Sequence, residues 1–188
     1  MTGEQLQDLI TEFLDRRYPD GWSWLDSEFD CFGDAPLQLK MIPAFSALEY
    51  NISNGGWAQL LWNCWGCWPQ LLDIAQPGYR LIGAHDQARA IDDLRRLCER
   101  DDKECEAAMI KSVRENDFNK YFETFTSRVI TEPGNDWQRY FFHDSGAYET
   151  RLRWLEANEA LVKRLTSPPD AFYEPADVKD VVRKAGEG

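Results

Sequence analysis

The chain has 188 residues, 43% hydrophobic and 13% aromatic, enough to bury a core and too apolar for a disordered acidic tail. Its 33 acidic residues against 21 lysines and arginines leave a net charge of −12, which excludes direct binding to nucleic acid because phosphates would be repelled. A partner would instead present a basic protein surface.

The start, Met1-Thr2-Gly3-Glu4, has neither the basic stretch nor the apolar run of a signal peptide. No apolar run reaches the roughly 18 residues that a membrane span needs. The five cysteines are odd in number and scattered, which suits a reducing compartment better than a disulfide framework. The expectation is one bacterial-type cytoplasmic domain over residues 1–188.

Residues 3–17 read as a helix, with Leu6, Leu9, Ile10, Phe13 and Leu14 forming one apolar stripe. Thr2 and Gln5 have capping-box spacing, and Tyr18-Pro19-Asp20-Gly21 stops the helix. Residues 20–38 read as loop. A second helix is expected over 39–52, with Pro43 in its first turn. Asn54-Gly55-Gly56 breaks the chain, and Trp57 to about Trp65 continues as an interior helix, apolar nearly all round. A helix over 69–75, a turn at Gln76-Pro77-Gly78 and a helical stretch over 79–99 follow. Residues 102–129 read as one or two helices, 131–136 as a loop, and 137–143 and 147–165 as helices. Residues 167–188 read as a Ser-Pro-Pro linker and a short helix over 174–184. No alternating strand pattern of any length is present, so the fold class is all-α, a single compact multi-helix domain.

Several candidate sites are weak. Cys64-Trp65-Gly66-Cys67 has the spacing of a redox pair or half a zinc site. Its would-be partners Cys98 and Cys105 have six residues between them, neither histidine sits near a cysteine, and no βαβ pattern is predicted. Core packing is the preferred reading, with the flanking tryptophans implying burial. His85 and His143 belong to no triad order, and no phosphate-loop or dinucleotide-binding signature can be read. No catalytic residue, metal or cofactor is therefore assigned, and the chain is expected not to be an enzyme.

The acids say more. Glu4, Asp8, Glu12 and Asp15 fall along one face of the first helix, about 6 Å apart for each four-residue step. Like charges at that spacing repel by a few tenths of a kcal/mol per pair. Asp20, Asp26, Glu28, Asp30 and Asp34 follow without an intervening base, so residues 1–34 hold nine acids against two bases. Such a run can serve solubility alone. It can also present carboxylates as a duplex presents phosphates, about one charge per 1.7 Å of axis, a density that requires several acidic segments to converge. Asp92, Asp93, Asp101 and Asp102 belong to a second concentration, which Arg95, Arg96, Arg100 and Lys103 dilute toward an ion-paired surface.

Asn54-Gly55-Gly56-Trp57-Ala58-Gln59-Leu60-Leu61-Trp62-Asn63, with Leu81-Ile82-Gly83-Ala84 behind it, resembles the signature of a bacterial DNA-mimic protein family, formerly a domain of unknown function. The resemblance covers about residues 40–100. It implies an acidic, all-α, non-enzymatic protein that imitates double-stranded DNA and occupies the DNA-binding face of a transcription factor. The matching residues Asn54, Gly55, Gly56, Trp57, Gln59, Asn63 and Gly83 are uncharged, so their expected role is structural. Gly55 and Gly56 suit a tight turn, Asn54 a helix cap, and Gln59 and Asn63 the pairing of buried backbone groups. The family pattern places an acid just before the motif; here Asn51 stands three residues and Glu49 five residues before Asn54. The leading expectation is a DNA-mimic inhibitor of a DNA-binding protein, with a homodimer left open as its assembly. An immunity protein or antitoxin that neutralises a toxin such as a nuclease would use the same electrostatics. A carboxylate-based enzyme would need acids converging in a pocket.

Overall fold

The computed structural model describes residues 1–18, 34–64, 67–95, 111, 114–117, 119, 120, 136–141 and 145–167. Among them the regular structure is helical and no residue lies in a strand, as the all-α reading expects. No helix among them is long and apolar enough to cross a membrane. The helices expected over 102–129 and 174–184 and the loop 131–136 fall largely or wholly outside the described residues.

Helix α1, Gly3–Arg17, follows its sequence closely. The Thr2 hydroxyl accepts from the Gln5 backbone N–H and the Gln5 side chain accepts from that of Thr2, pairing two otherwise orphan donors. Leu6, Ile10 and Leu14 are fully buried, each stabilising the fold by about 1.5–3 kcal/mol. Helix α1 packs on the helices Leu37–Asn63 and Ala147–Ala157.

Helix α2 runs over Leu37–Asn63 with non-helical backbone at Gly55 and at Gly56, whose φ of 66° and ψ of −156° suit glycine alone. The break expected at Asn54-Gly55-Gly56 is thus a kink inside one helix. The helix begins at Leu37, two residues earlier than expected, so Pro43 stands inside it and not in its first turn. Its N-terminal limb contributes Leu39, Ile42, Phe45, Leu48 and Ile52 to the core, and its C-terminal limb Trp57, Leu60 and Leu61. Trp65, expected to be buried with them, lies outside the described residues.

Helix α3, Trp68–Leu81, corrects the expected turn at Gln76-Pro77-Gly78, because the helix passes straight through it. Gly78 serves close approach: a Cβ there would lie 2.8 Å from Met41 Cβ and 2.9 Å from Phe45 Cζ. The turn comes later. The N–H groups of Ala84 and Gly83 bond back to the carbonyls of Tyr79 and Arg80, closing the helix in a Schellman arrangement with Gly83 at φ 80°. The helical stretch expected over 79–99 is therefore split between α3 and α4, residues 85–95. Tyr79 stacks on Phe45 with centroids 4.0 Å apart and meets Phe141 edge-on at 5.8 Å, while Trp57 meets Trp68 edge-on at 6.0 Å. These aromatic contacts cement the α2–α3 pair.

The helix expected over 137–143 is present as a 3-10 helix over Asp136–Phe141. The helix expected over 147–165 is two: α5, Ala147–Ala157, and α6, Glu159–Leu165. Asn158 separates them, its side-chain amide donating to the Trp154 carbonyl.

Candidate functional site

On α1, burial of Leu6, Ile10 and Leu14 turns the opposite face outward, and Glu4, Asp8, Glu12 and Asp15 are all exposed there. Glu4, Asp8 and Glu12 have no ion-pair partner among the described residues. Arg16 lies four residues beyond Glu12, yet its Nε donates to the Glu12 carbonyl and not to the carboxylate.

The other sequence-predicted acids are placed differently. Asp34 is engaged at the foot of α1: Arg17 Nη2 donates to it at 3.1 Å and the Tyr18 hydroxyl donates to its other oxygen. The Tyr18 hydrogen bond, with the Arg17 guanidinium beside it, holds the Asp34 carboxyl below its ordinary value. Asp92 accepts from Gln76 and from Arg80 Nη2 at 3.2 Å, and Asp73 pairs with Arg95, so this region is an ion-paired seam between α3 and α4. Asp93 is exposed. Asp20, Asp26, Glu28, Asp30, Asp101 and Asp102 lie outside the described residues.

The uncharged motif acts through the kink. Asn63 Nδ2 donates to Asn51 Oδ1 at 2.7 Å, and Asn51 Nδ2 donates to the Ala47 carbonyl at 2.8 Å. A side-chain bridge thus spans the break at Gly55 and Gly56, which corrects the expectation that Asn63 serves backbone groups. Asn54 does not cap the following helix either; its amide donates back to the Tyr50 carbonyl. Cys64 and Cys67 are fully buried free thiols in the α2–α3 turn. The hydrogen bond with Cys67, which favours the protonated Cys64 thiol, and burial together push that thiol far above its ordinary range, which leaves it unreactive.

Sequence reasoning missed a buried polar cluster. Glu49 on α2 accepts from the Tyr79 hydroxyl at 2.9 Å and faces Arg151 Nη1 of α5 at 3.3 Å. Arg151 is only 3% exposed and Glu49 17%. Burial lifts the Glu49 carboxyl above its ordinary value despite the Arg151 charge, and burial also lifts the Tyr79 hydroxyl. A signal was present: Glu49 follows Phe45 by four residues and precedes Ile52 by three, and Arg151 precedes Leu155 by four. Each charge therefore stands on the apolar stripe of its own helix.

Two cavities flank α5. One, of about 590 Å³, is lined by Asp86, His85, Arg139 and Tyr140 among the described residues, and Asp86 pairs with Arg89. The other, of about 230 Å³, is lined by Glu49, Tyr50, Phe141 and Tyr148 among the described residues.

A family model described as DMP19-like protein matches residues 33–158. The matched segment extends past the 40–100 region on both sides, taking in the kink, Glu49 and Arg151, and begins after α1. No curated protein and no solved structure matches the chain.

Proposed function

Because the chain belongs to the DMP19-like protein family over more than half its length, we propose that it is a non-enzymatic acidic protein that binds a basic protein surface, as a mimic of double-stranded DNA that inhibits a DNA-binding protein. The observation that carries this reading is the outer face of α1, where Glu4, Asp8 and Glu12 are exposed and unpaired among the described residues. Aligned carboxylates of this kind attract a basic surface over a distance and raise the rate of encounter. The family match also spans Asn54 to Ala84, the residues that carry the DNA-mimic resemblance. Since α1 precedes the matched segment, its role rests on its own charge geometry.

The test is retention on the immobilised chain. Proteins are bound from a lysate at low salt, identified, and challenged with a short DNA duplex. The reading predicts a retained DNA-binding protein that the duplex displaces, and weaker retention on the Glu4→Gln, Asp8→Asn, Glu12→Gln, Asp15→Asn variant. Retained proteins indifferent to the duplex would refute it, and a retained nuclease silenced by the chain would point to the immunity role.

A further inference from the structure

The cavity of about 590 Å³ gathers positive charge in a chain whose net charge is −12. Arg139 and His85 stand on its wall. Arg139 Nη2 donates to the Tyr140 hydroxyl at 3.1 Å, and its guanidinium lies over that ring at 5.0 Å, which fixes it there. Arg153 reaches the same wall from α5 and donates to Thr150 Oγ1 at 3.3 Å. Against them stand Asp86, which is paired with Arg89, and Glu149, exposed in the first turn of α5. Three arginines therefore meet two carboxylates. Salt confines the field of distant charges to roughly 8–10 Å, so the local sign decides what enters.

Two helices also begin at this cavity. Helix α4 starts at His85 behind Ala84, and α5 at Ala147 behind Gly146. Neither preceding residue has a side-chain oxygen that could cap its helix. The first bond of α4 runs from the Ala88 N–H to the Ala84 carbonyl, so the N–H groups of His85, Asp86 and Gln87 come before the ladder. In α5 the Ser145 hydroxyl accepts from the Ala147 N–H at 3.3 Å, and those of Tyr148 and Glu149 follow it. The positive ends of two helix dipoles add to the arginine charge.

A helix start alone marks no ligand, but Gln87 does. It is 6% exposed and lines the cavity. Its Nε2 donates to the Tyr140 carbonyl at 2.9 Å, which sets the orientation of the amide, and its Oε1 takes no hydrogen bond among the described residues. Oε1 is not sealed in the core, so the open space it meets is the cavity. A carbonyl oxygen so enclosed is costly without a donor. The occupant must then combine a negative charge for the helix starts with a donor for Gln87. A bare anion would leave most of the space empty, since the cavity falls in the range of about 300–1,000 Å³ typical of small-molecule sites.

We propose that this cavity binds a small phosphorylated metabolite of the sugar phosphate class. Its phosphate sits at the starts of α4 and α5 beside Arg139 and His85, and a hydroxyl of its body donates to Gln87 Oε1. This site stands apart from the basic partner and from α1, and neither reading needs the other.

The probe is glucose 6-phosphate, titrated into the full chain and followed by amide NMR, with glucose as the neutral control. The ester is expected to shift the backbone amides of His85 to Gln87 and of Ala147 to Glu149 saturably in the millimolar range, together with the side-chain amide of Gln87. Glucose is expected to move none of them, and inorganic phosphate to move the same backbone amides with weaker affinity. Arg139→Gln, at an exposed position, should weaken the ester about three- to ten-fold. Arg153→Gln, also exposed, should weaken it about two-fold. No saturable shift, an equal response to glucose, an unmoved Gln87 side chain, or unchanged affinity in both arginine variants would overturn the proposal.

Discussion

Two sets of carboxylates in this chain share a chemistry and differ in everything around it. On the outer face of α1, Glu4, Asp8 and Glu12 stand in water without partners among the described residues. Between α2, α3 and α5, Glu49 is enclosed, hydrogen-bonded by Tyr79 and faced by Arg151. An exposed charge costs the fold little and its field reaches outward. A buried charge must be compensated on the spot, and removing its partner is far more damaging than never having had the pair. The first arrangement suits encounter with another molecule; the second fixes the mutual position of three helices.

The sharpest way to break this contrast is Arg151→Met. It leaves Glu49 buried without its cation, and chemical denaturation should show a loss of about 3–5 kcal/mol. Adding Glu49→Gln, which removes the second charge and keeps an acceptor for Tyr79, should recover most of that loss. If Arg151→Met proves as mild as a surface change, the cluster does not hold the helices together. A smaller effect is expected from Gly78→Ala, whose Cβ would press on Met41 and Phe45 where α3 brings Tyr79 to Glu49. Overpacking of this kind typically costs about 1–3 kcal/mol, readable in the same denaturation curves.

The contrast also predicts a pH dependence. The folded chain holds the Glu49 proton more tightly than the unfolded chain, because burial raises that carboxyl above 4.5. The stability associated with the protonated carboxyl is present below that value and is lost as pH rises through the raised folded one. Glu49→Gln should remove this fall, which denaturation midpoints measured across the acid range would register; identical profiles for the two proteins would contradict it. The smallest effect belongs to α1. Converting Glu4, Asp8, Glu12 and Asp15 to amides should leave stability unchanged or raise it by a few tenths of a kcal/mol per relieved pair. A loss of more than about 1 kcal/mol would place those side chains in structural roles instead.

How much of this the sequence disclosed follows from the kind of signal each element carries. Helix α1 was legible almost to the residue, because its stripe, its capping box and its acid face are all local. The kink was legible because two adjacent glycines have few other uses. Gln76-Pro77-Gly78 misled, since its glycine answers to Met41 and Phe45 on another helix, a demand that no local pattern records. The role of Asn63 depended likewise on Asn51, twelve residues away across the kink. Glu49 and Arg151 were passed over because they are meaningful only as a pair, and the pair spans about a hundred residues of chain. Of the candidate surface, the exposure of the α1 stripe could be read in advance. The engagement of Asp34 by Tyr18 and of Asp92 by Arg80 could not, because each depends on how separate segments fold together.

The central claim is that the α1 face works through long-range charge. The measurement that meets it most directly is the association rate of the captured partner against ionic strength, for the wild-type chain and for the Glu4→Gln, Asp8→Asn, Glu12→Gln, Asp15→Asn variant. Charge steering predicts that the wild-type rate falls steeply with salt, and that the variant associates more slowly at low salt with a flatter dependence. Equal rates and equal salt slopes for the two proteins would contradict it and would leave α1 with solubility as its function.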